Sequence, residues 1–189
     1  MNYKTKINKT LMLLFVAVLF ISGCSSDDDP EPENEQEIIT RVEMEFTNTL
    51  TSEVVAARFN DPDGPGGNEP IISQPTLKPA TVYSVSLKIY NDLEGENITE
   101  EIEEEDDEHQ FFFIQTGGVF SAITYDDLDA FGRPVGLKSN FTTGTAGAGT
   151  LRVILRHKPN KANPDVASGI IDNAGGDTDI DIIFNVTVQ

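Results

Sequence analysis

Apolar and polar positions alternate with a period of two over long stretches of this chain. The clearest stretch is C-terminal, where Ile180, Ile182, Phe184, Val186 and Val188 fall on one side and Asp181, Asn185 and Thr187 on the other. Successive side chains of a strand point to opposite faces, so this run predicts a strand with one face in a core and one in water. Its β-branched residues suit that setting. Tyr83, Val85, Leu87 and Ile89 alternate in the same way with Ser84, Ser86 and Lys88. So do Val42, Met44 and Phe46 with Arg41, Glu43 and Glu45, and Leu151, Val153 and Leu155 with Arg152 and Arg156. Shorter candidate strands cover 54–59, 111–116, 119–125 and 135–142. Loops carrying Gly, Pro, Asn and Asp separate them, at 61–67, 126–134, 144–149 and 158–176. Gly117-Gly118 reads as a two-residue hairpin turn. Helical periodicity is almost absent. About eight strands punctuated in this way predict an all-β fold, a single antiparallel β-sandwich of immunoglobulin-like kind, with a closed barrel as the other geometry the pattern allows. The chain has no tryptophan and one cysteine, so an antibody-type Cys–Trp–Cys core is excluded.

The N-terminus follows a different rule. Lys4, Lys6 and Lys9 precede an unbroken apolar run from Leu11 to Ile21. That run is shorter than the roughly 20 apolar residues a membrane span needs. Small residues and Cys24 follow at once, which is the pattern of a processed export signal over residues 1–23. Phe20-Ile21-Ser22-Gly23-Cys24 resembles a bacterial lipobox, and that resemblance implies cleavage before Cys24 and acylation of its thiol. Cys24 is the only cysteine, so no internal disulfide competes for it. Residues 24–37 are rich in Asp, Glu and Pro, a composition that stays extended and reads as a tether. The folded domain is expected over 38–189. The start Cys24-Ser-Ser-Asp-Asp-Asp also resembles the surface-export signal of Bacteroidota lipoproteins. An outer-membrane lipoprotein facing the medium is the expected location.

Charge then narrows the partners. The formal net charge is −19, and removal of residues 1–23 takes away three lysines and no acid. So acidic a surface repels nucleic acid and anionic headgroups and favours cations and basic proteins. Eight of the nine residues from Glu100 to Glu108 are acids. They form either a solvated acidic loop or a segment that cations or a basic partner must neutralise before it orders.

The only two histidines are His109 and His157. His109 opens one predicted strand in the parity of Phe111 and Phe113, and His157 closes another in the parity of Leu155 and Val153. Alternating strand direction brings the start of the first and the end of the second to the same end of a sandwich, along with Asp126, Asp127, Asp129, Asp177 and Asp179. If their strands pair, the imidazoles meet. With Glu108 and Asp107 they would then suit Zn²⁺ or Cu²⁺. If they do not, each is a rim histidine satisfied locally. Asp61-Pro-Asp63-Gly resembles the start of a calcium loop, with Asp61, Asp63 and Asn68 as oxygen donors for Ca²⁺. Pro65 and the absence of a following bidentate glutamate depart from that pattern. Asp127-Leu-Asp129 is a weaker echo of it. No Gly-x-Ser-x-Gly elbow or catalytic cysteine is present, and the expectation is a protein that is not an enzyme.

Several segments together resemble a group of small acidic flavobacterial surface lipoproteins. They are Cys24-Ser-Ser-Asp-Asp-Asp, Asp61-Pro-Asp-Gly, Glu105-Asp-Asp-Glu-His-Gln-Phe-Phe-Phe, Leu155-Arg-His-Lys-Pro-Asn-Lys and Asn173-Ala-Gly-Gly-Asp-Thr-Asp-Ile. Members are often called type 1 periplasmic binding fold superfamily proteins. That fold is a two-lobed α/β architecture, whereas no alternating strand–helix pattern runs along this chain. The resemblance implies association with TonB-dependent outer-membrane receptors. The expected function is a lipid-anchored binding module that captures a cation or other ligand. The other reading is a structural or adhesive surface protein with no small ligand.

Overall fold

The computed structural model describes residues 37–189. The expected signal segment, the acylated Cys24 and the tether up to residue 36 lie outside the described residues. Within the described residues ten strands form two facing sheets. They are β1 (Arg41–Asn48), β2 (Val54–Asn60), β3 (Ile71–Ile72), β4 (Thr76–Leu77), β5 (Val82–Tyr90), β6 (His109–Gln115), β7 (Phe120–Tyr125), β8 (Lys138–Thr143), β9 (Gly147–His157) and β10 (Asp177–Val188). One sheet runs β3-β2-β1-β5-β8-β7 and the other β4-β10-β9-β6. The expected β-sandwich is therefore present, open at its edges rather than closed as a barrel. Two details differ from expectation. There are ten strands instead of about eight, because the two-residue strands β3 and β4 sit in a loop whose prolines hide the period-two signal. The β4–β10 pair is also parallel.

The alternation builds the core directly. Val42, Met44 and Phe46 of β1 face inward together with Tyr83, Val85, Leu87 and Ile89 of β5. Opposite them stand Leu151, Val153 and Leu155 of β9 and Ile180, Ile182, Phe184, Val186 and Val188 of β10. Phe46, Phe120 and Phe141 fill the space between, with ring centroids 5.1–6.3 Å apart, Phe141 meeting the other two edge to face as aromatic quadrupoles prefer.

The acidic stretch holds a feature the sequence reading passed over. Helix α1 (Ile98–Glu104) orders most of it, burying Ile98 and Ile102 one turn apart while its acids face solvent. Glu100 and Glu101 in its first turn are favourably placed against the helix dipole. A second short helix, α2 (Pro164–Ala167), starts with Asn163 accepting a hydrogen bond from the Asp165 N–H and with Pro at the first helical position. It packs on the outer face of the four-stranded sheet, where Phe112, Ile154, Val166 and Ala174 form a second small core. That cover explains why β6 is buried on both faces from His109 to Phe112. The expected strand over 135–142 begins only at Lys138, because Gly136 takes φ +96 and the chain turns there.

Among the described residues, no helix is long and apolar enough to cross a membrane.

Candidate metal centre

The antiparallel pairing of β6 and β9 sets His109 directly opposite His157. On the far side of β9, Asp177 of β10 stands opposite His157. Parity carries both imidazoles onto the inner face, at the end of the sandwich just beyond the last apolar layer. The rings stack with centroids 4.6 Å apart and an interplanar angle of 11°. His109 is fully buried and His157 nearly so.

His109 Nδ1 lies 3.1 Å from the Glu105 carbonyl oxygen. A carbonyl only accepts, so Nδ1 carries the proton and donates, which leaves the Nε2 lone pair free. An imidazole fixed through its outer nitrogen by a backbone carbonyl is the arrangement that orients a histidine toward a metal. The Nε2 atoms of both histidines are buried and have no hydrogen-bond partner. Burial pushes the His109 pKa down, opposed by its bond to Glu105, with the neighbouring His157 adding to the fall. A neutral ring with an available lone pair is the form that binds a cation.

Glu105, His109 and His157 each offer a donor atom within 4.8 Å of the other two. The carboxylate the structure brings to this triad is therefore Glu105, at the end of α1. Glu108 lies close, with Oε2 3.5 Å from His157 Nε2, but Lys158 Nζ stands 3.3 Å from the same oxygen. Asp107 is exposed and not part of the triad.

Two further buried carboxylates lie outside this triad but feel its charges. Glu37, just before β1 and expected to belong to the tether, puts Oε1 3.9 Å from His109 Nε2. Its carboxyl pKa is pushed up to about 8, chiefly by burial and then by the charges of Glu101, Asp179 and Glu105. Asp179 sits where the β9–β10 register shifts between Thr178 and Ile180. Such a bulge inserts an unpaired residue and re-aims its side chain. Burial raises the Asp179 pKa to about 6, against the opposing charge of His157. Glu37 and Asp179 also line a cleft of about 370 Å³ together with Asp61 and Pro65.

A buried lysine fastens the segment that carries His109. Lys161 Nζ donates to the carbonyl oxygens of Asp106, at 2.6 Å, and His109, at 3.0 Å. It pairs with Asp129 Oδ2 at 3.0 Å, and both side chains are almost wholly buried. Burial lowers the Lys161 pKa, with Asp129 opposing. Asp129 is held below the usual carboxylate range although burial works the other way, because the Arg133 N–H and Lys161 stabilise its charge.

The other expected cation positions are committed to their own loops. Asp63 Oδ2 accepts from the Asn68 backbone N–H at 2.9 Å and from Asn68 Nδ2 at 2.7 Å. Asp61 instead faces the cleft that holds Glu37 and Asp179. Asp61 also bonds to the Asp63 side chain, so the three residues lie in one cluster in which the Asp63 carboxylate is engaged by Asn68. Asp127 accepts from the Gly136 and Lys138 N–H groups at 2.8 and 3.0 Å. Both Asp127 and Asp129 therefore shape the β7–β8 connection.

The donor set is chemically specific. Two imidazole nitrogens with carboxylate oxygens suit borderline ions such as Zn²⁺ and Cu²⁺ better than Ca²⁺, which prefers six to eight oxygens. Sequence reasoning found the histidines but missed Glu37, Glu105 and Lys161. Only Glu105, inside the acidic run, carried any signal. No family model, curated protein or solved structure matches the chain.

Proposed function

We propose that this protein is a non-catalytic binding module that captures Zn²⁺ or Cu²⁺, held by acylated Cys24 on the outer membrane. On this reading it faces the medium and hands its cation to, or holds it beside, a TonB-dependent outer-membrane receptor. The lipobox-like sequence before Cys24 supports the anchor, and the acidic segment at 100–108 supports attraction of cations. The receptor follows only from the resemblance to flavobacterial surface lipoproteins. The observation that carries the reading is the pair of stacked, buried imidazoles whose Nε2 atoms have no hydrogen-bond partner, with the Glu105 carboxylate beside them. A buried polar atom without a partner costs about 1–3 kcal/mol, and a coordinated cation removes that cost at both rings. Tetrahedral Zn²⁺ with bonds of about 2.0–2.1 Å needs donors about 3.3 Å apart, so the triad closes slightly on binding.

The test is a thermal melt of the full-length chain in detergent, first with chelator and then with Zn²⁺, Cu²⁺ or Ca²⁺. An ion at 100 times its dissociation constant adds about 2.7 kcal/mol, or roughly 5–10 °C for a domain of this size. The expected rise comes with Zn²⁺ or Cu²⁺ and disappears in the His109→Ala/His157→Ala variant. A rise that survives loss of both histidines places the ion elsewhere. No rise with either ion removes the function.

A further inference from the structure

We infer that the centre holds its ion through three protein ligands only, Glu105, His109 and His157, and that the Lys158–Glu108 ion pair keeps the fourth coordination position open to an external donor. The inference rests on the metal-capture reading and specifies how the ion is exchanged.

Among the described residues, only Glu105, His109 and His157 bring donor atoms within 4.8 Å of one another. Zn²⁺ takes four ligands in a tetrahedron, so three from the protein leave one position to water or to an incoming base. Glu108 stands beside that position, with Oε2 3.5 Å from His157 Nε2. That nitrogen nevertheless has no hydrogen-bond partner. The same Glu108 oxygen lies 3.3 Å from the Lys158 ammonium. A carboxylate oxygen engaged by an ammonium is a poorer ligand for a cation, and the ammonium itself repels one. Lys158 is thus a positioning residue that acts through Glu108.

The backbone builds this pair. Glu108 and Lys158 extend the His109–His157 pairing of β6 and β9 by one residue. The Lys158 N–H donates to the Glu108 carbonyl at 2.6 Å, and the Glu108 N–H donates to the Glu105 carbonyl at 2.9 Å. The Glu105 carbonyl also accepts from His109 Nδ1. Lys158 has φ +52, a left-handed conformation that costs energy outside glycine. Both main chains are therefore held, and the freedom lies in the two side chains, which are 42% and 58% exposed. An exposed ion pair is weak. It biases Glu108 away from the ion without walling the site off. The open position takes a nitrogen or oxygen base, such as an imidazole or carboxylate of an acceptor. Glu105 is the one exposed ligand of the three, so it is the next to be displaced while the buried imidazoles still hold the ion.

The experiment has two readouts, both on the full-length chain in detergent. Co²⁺ bound to the unaltered chain is titrated with azide, a small anionic base. Its visible d–d bands should shift saturably; bands that azide leaves unchanged would overturn the open position. The second readout is Zn²⁺ affinity against a competing chelator. Lys158→Gln frees Glu108 to close the shell, so it should tighten Zn²⁺ binding by about 2–5-fold and abolish the azide response. Lys158→Arg keeps the ion pair and should behave as the unaltered chain. Lys158→Gln/Glu108→Gln should return to the affinity and azide response of the unaltered chain. Melts in chelator act as the folding control, and loss of an exposed pair should leave Tm within about 2 °C. If Lys158→Gln keeps both the affinity and the azide response of the unaltered chain, Lys158 does not position Glu108, and metal capture stands. If the unaltered chain binds no Zn²⁺, both are wrong.

Discussion

Loss of the Lys161 side chain should destabilise the fold severely although it is a lysine. Its ammonium is 1% exposed and its partner Asp129 carboxylate 0% exposed, 3.0 Å away. The same nitrogen serves the carbonyls of Asp106 and His109. Lys161→Ala leaves the Asp129 charge buried without its counter-ion, and both carbonyls lose their side-chain donor. Breaking a buried ion pair from one side costs about 3–5 kcal/mol. Two hydrogen bonds from the Phe131 and Arg133 N–H groups to Asp129 Oδ1 remain and hold the cost near the lower end. A cost of about 3 kcal/mol is a large part of the 5–15 kcal/mol that stabilises a typical domain. At 2–4 °C per kcal/mol it lowers Tm by roughly 6–12 °C. Asp129→Asn should cost less, because Lys161 keeps its two carbonyl acceptors. Thermal melts in chelator of the two variants and their double mutant measure the coupling. A drop of under about 2 °C for Lys161→Ala would refute the reasoning.

Other consequences can be measured on the same protein. In the folded, metal-free chain Glu37 holds its proton up to about 8 and Asp179 up to about 6, above the ordinary carboxylate range, so folding takes up protons. Stability should then rise as pH falls from about 9 to about 6.5. Below that the rise should slacken, since burial keeps His109 neutral in the fold while the unfolded chain gains its proton, which offsets part of the uptake at Glu37 and Asp179. Melts across pH in chelator show this, and a flat curve between pH 7 and 9 would count against buried Glu37. Gly175 and Gly176 both have φ near the left-handed region, at +66 and +68, yet only at Gly176 would a Cβ stand 2.1 Å from a backbone atom, the His157 oxygen. Gly175→Ala should cost about 1 kcal/mol. Gly176→Ala should cost about 2 kcal/mol or more and also weaken Zn²⁺ binding by shifting His157; equal effects of the two would contradict the contact. Cys24→Ala should move the protein from the membrane fraction to the soluble fraction on cell fractionation, and retention in the membrane would exclude the lipid anchor.

How much of this was legible depended on whether the signal was local. The period-two runs at 42–46, 83–89, 151–155 and 180–188 mark strands because one face of each meets a continuous core. The same parity argument placed His109 and His157 at one end of the sandwich. Their meeting needed the β6–β9 pairing, which no local pattern encodes. β3 and β4 are too short for periodicity to show. Helix α1 hid in the acidic run because only Ile98 and Ile102 carry its apolar face. Glu37 was invisible as a site residue, since before β1 it has no strand parity and its composition matches the tether. Lys161 gave no signal because a lysine in a Pro- and Asn-rich loop ordinarily faces water. The Asp61–Asn68 loop has a calcium-like spelling, and its Asp63 carboxylate accepts hydrogen bonds from Asn68 of the same loop.

The two histidines make the central claim open to one direct measurement, because the chain has no others. Imidazole nitrogen chemical shifts of the ¹⁵N-labelled full-length chain should be followed as Zn²⁺ is added to one equivalent. Capture at this site predicts that both Nε2 resonances move together to the values of a metal-bound nitrogen and that His109 Nδ1 keeps its proton. Imidazole resonances that stay in place while excess Zn²⁺ is added would contradict it.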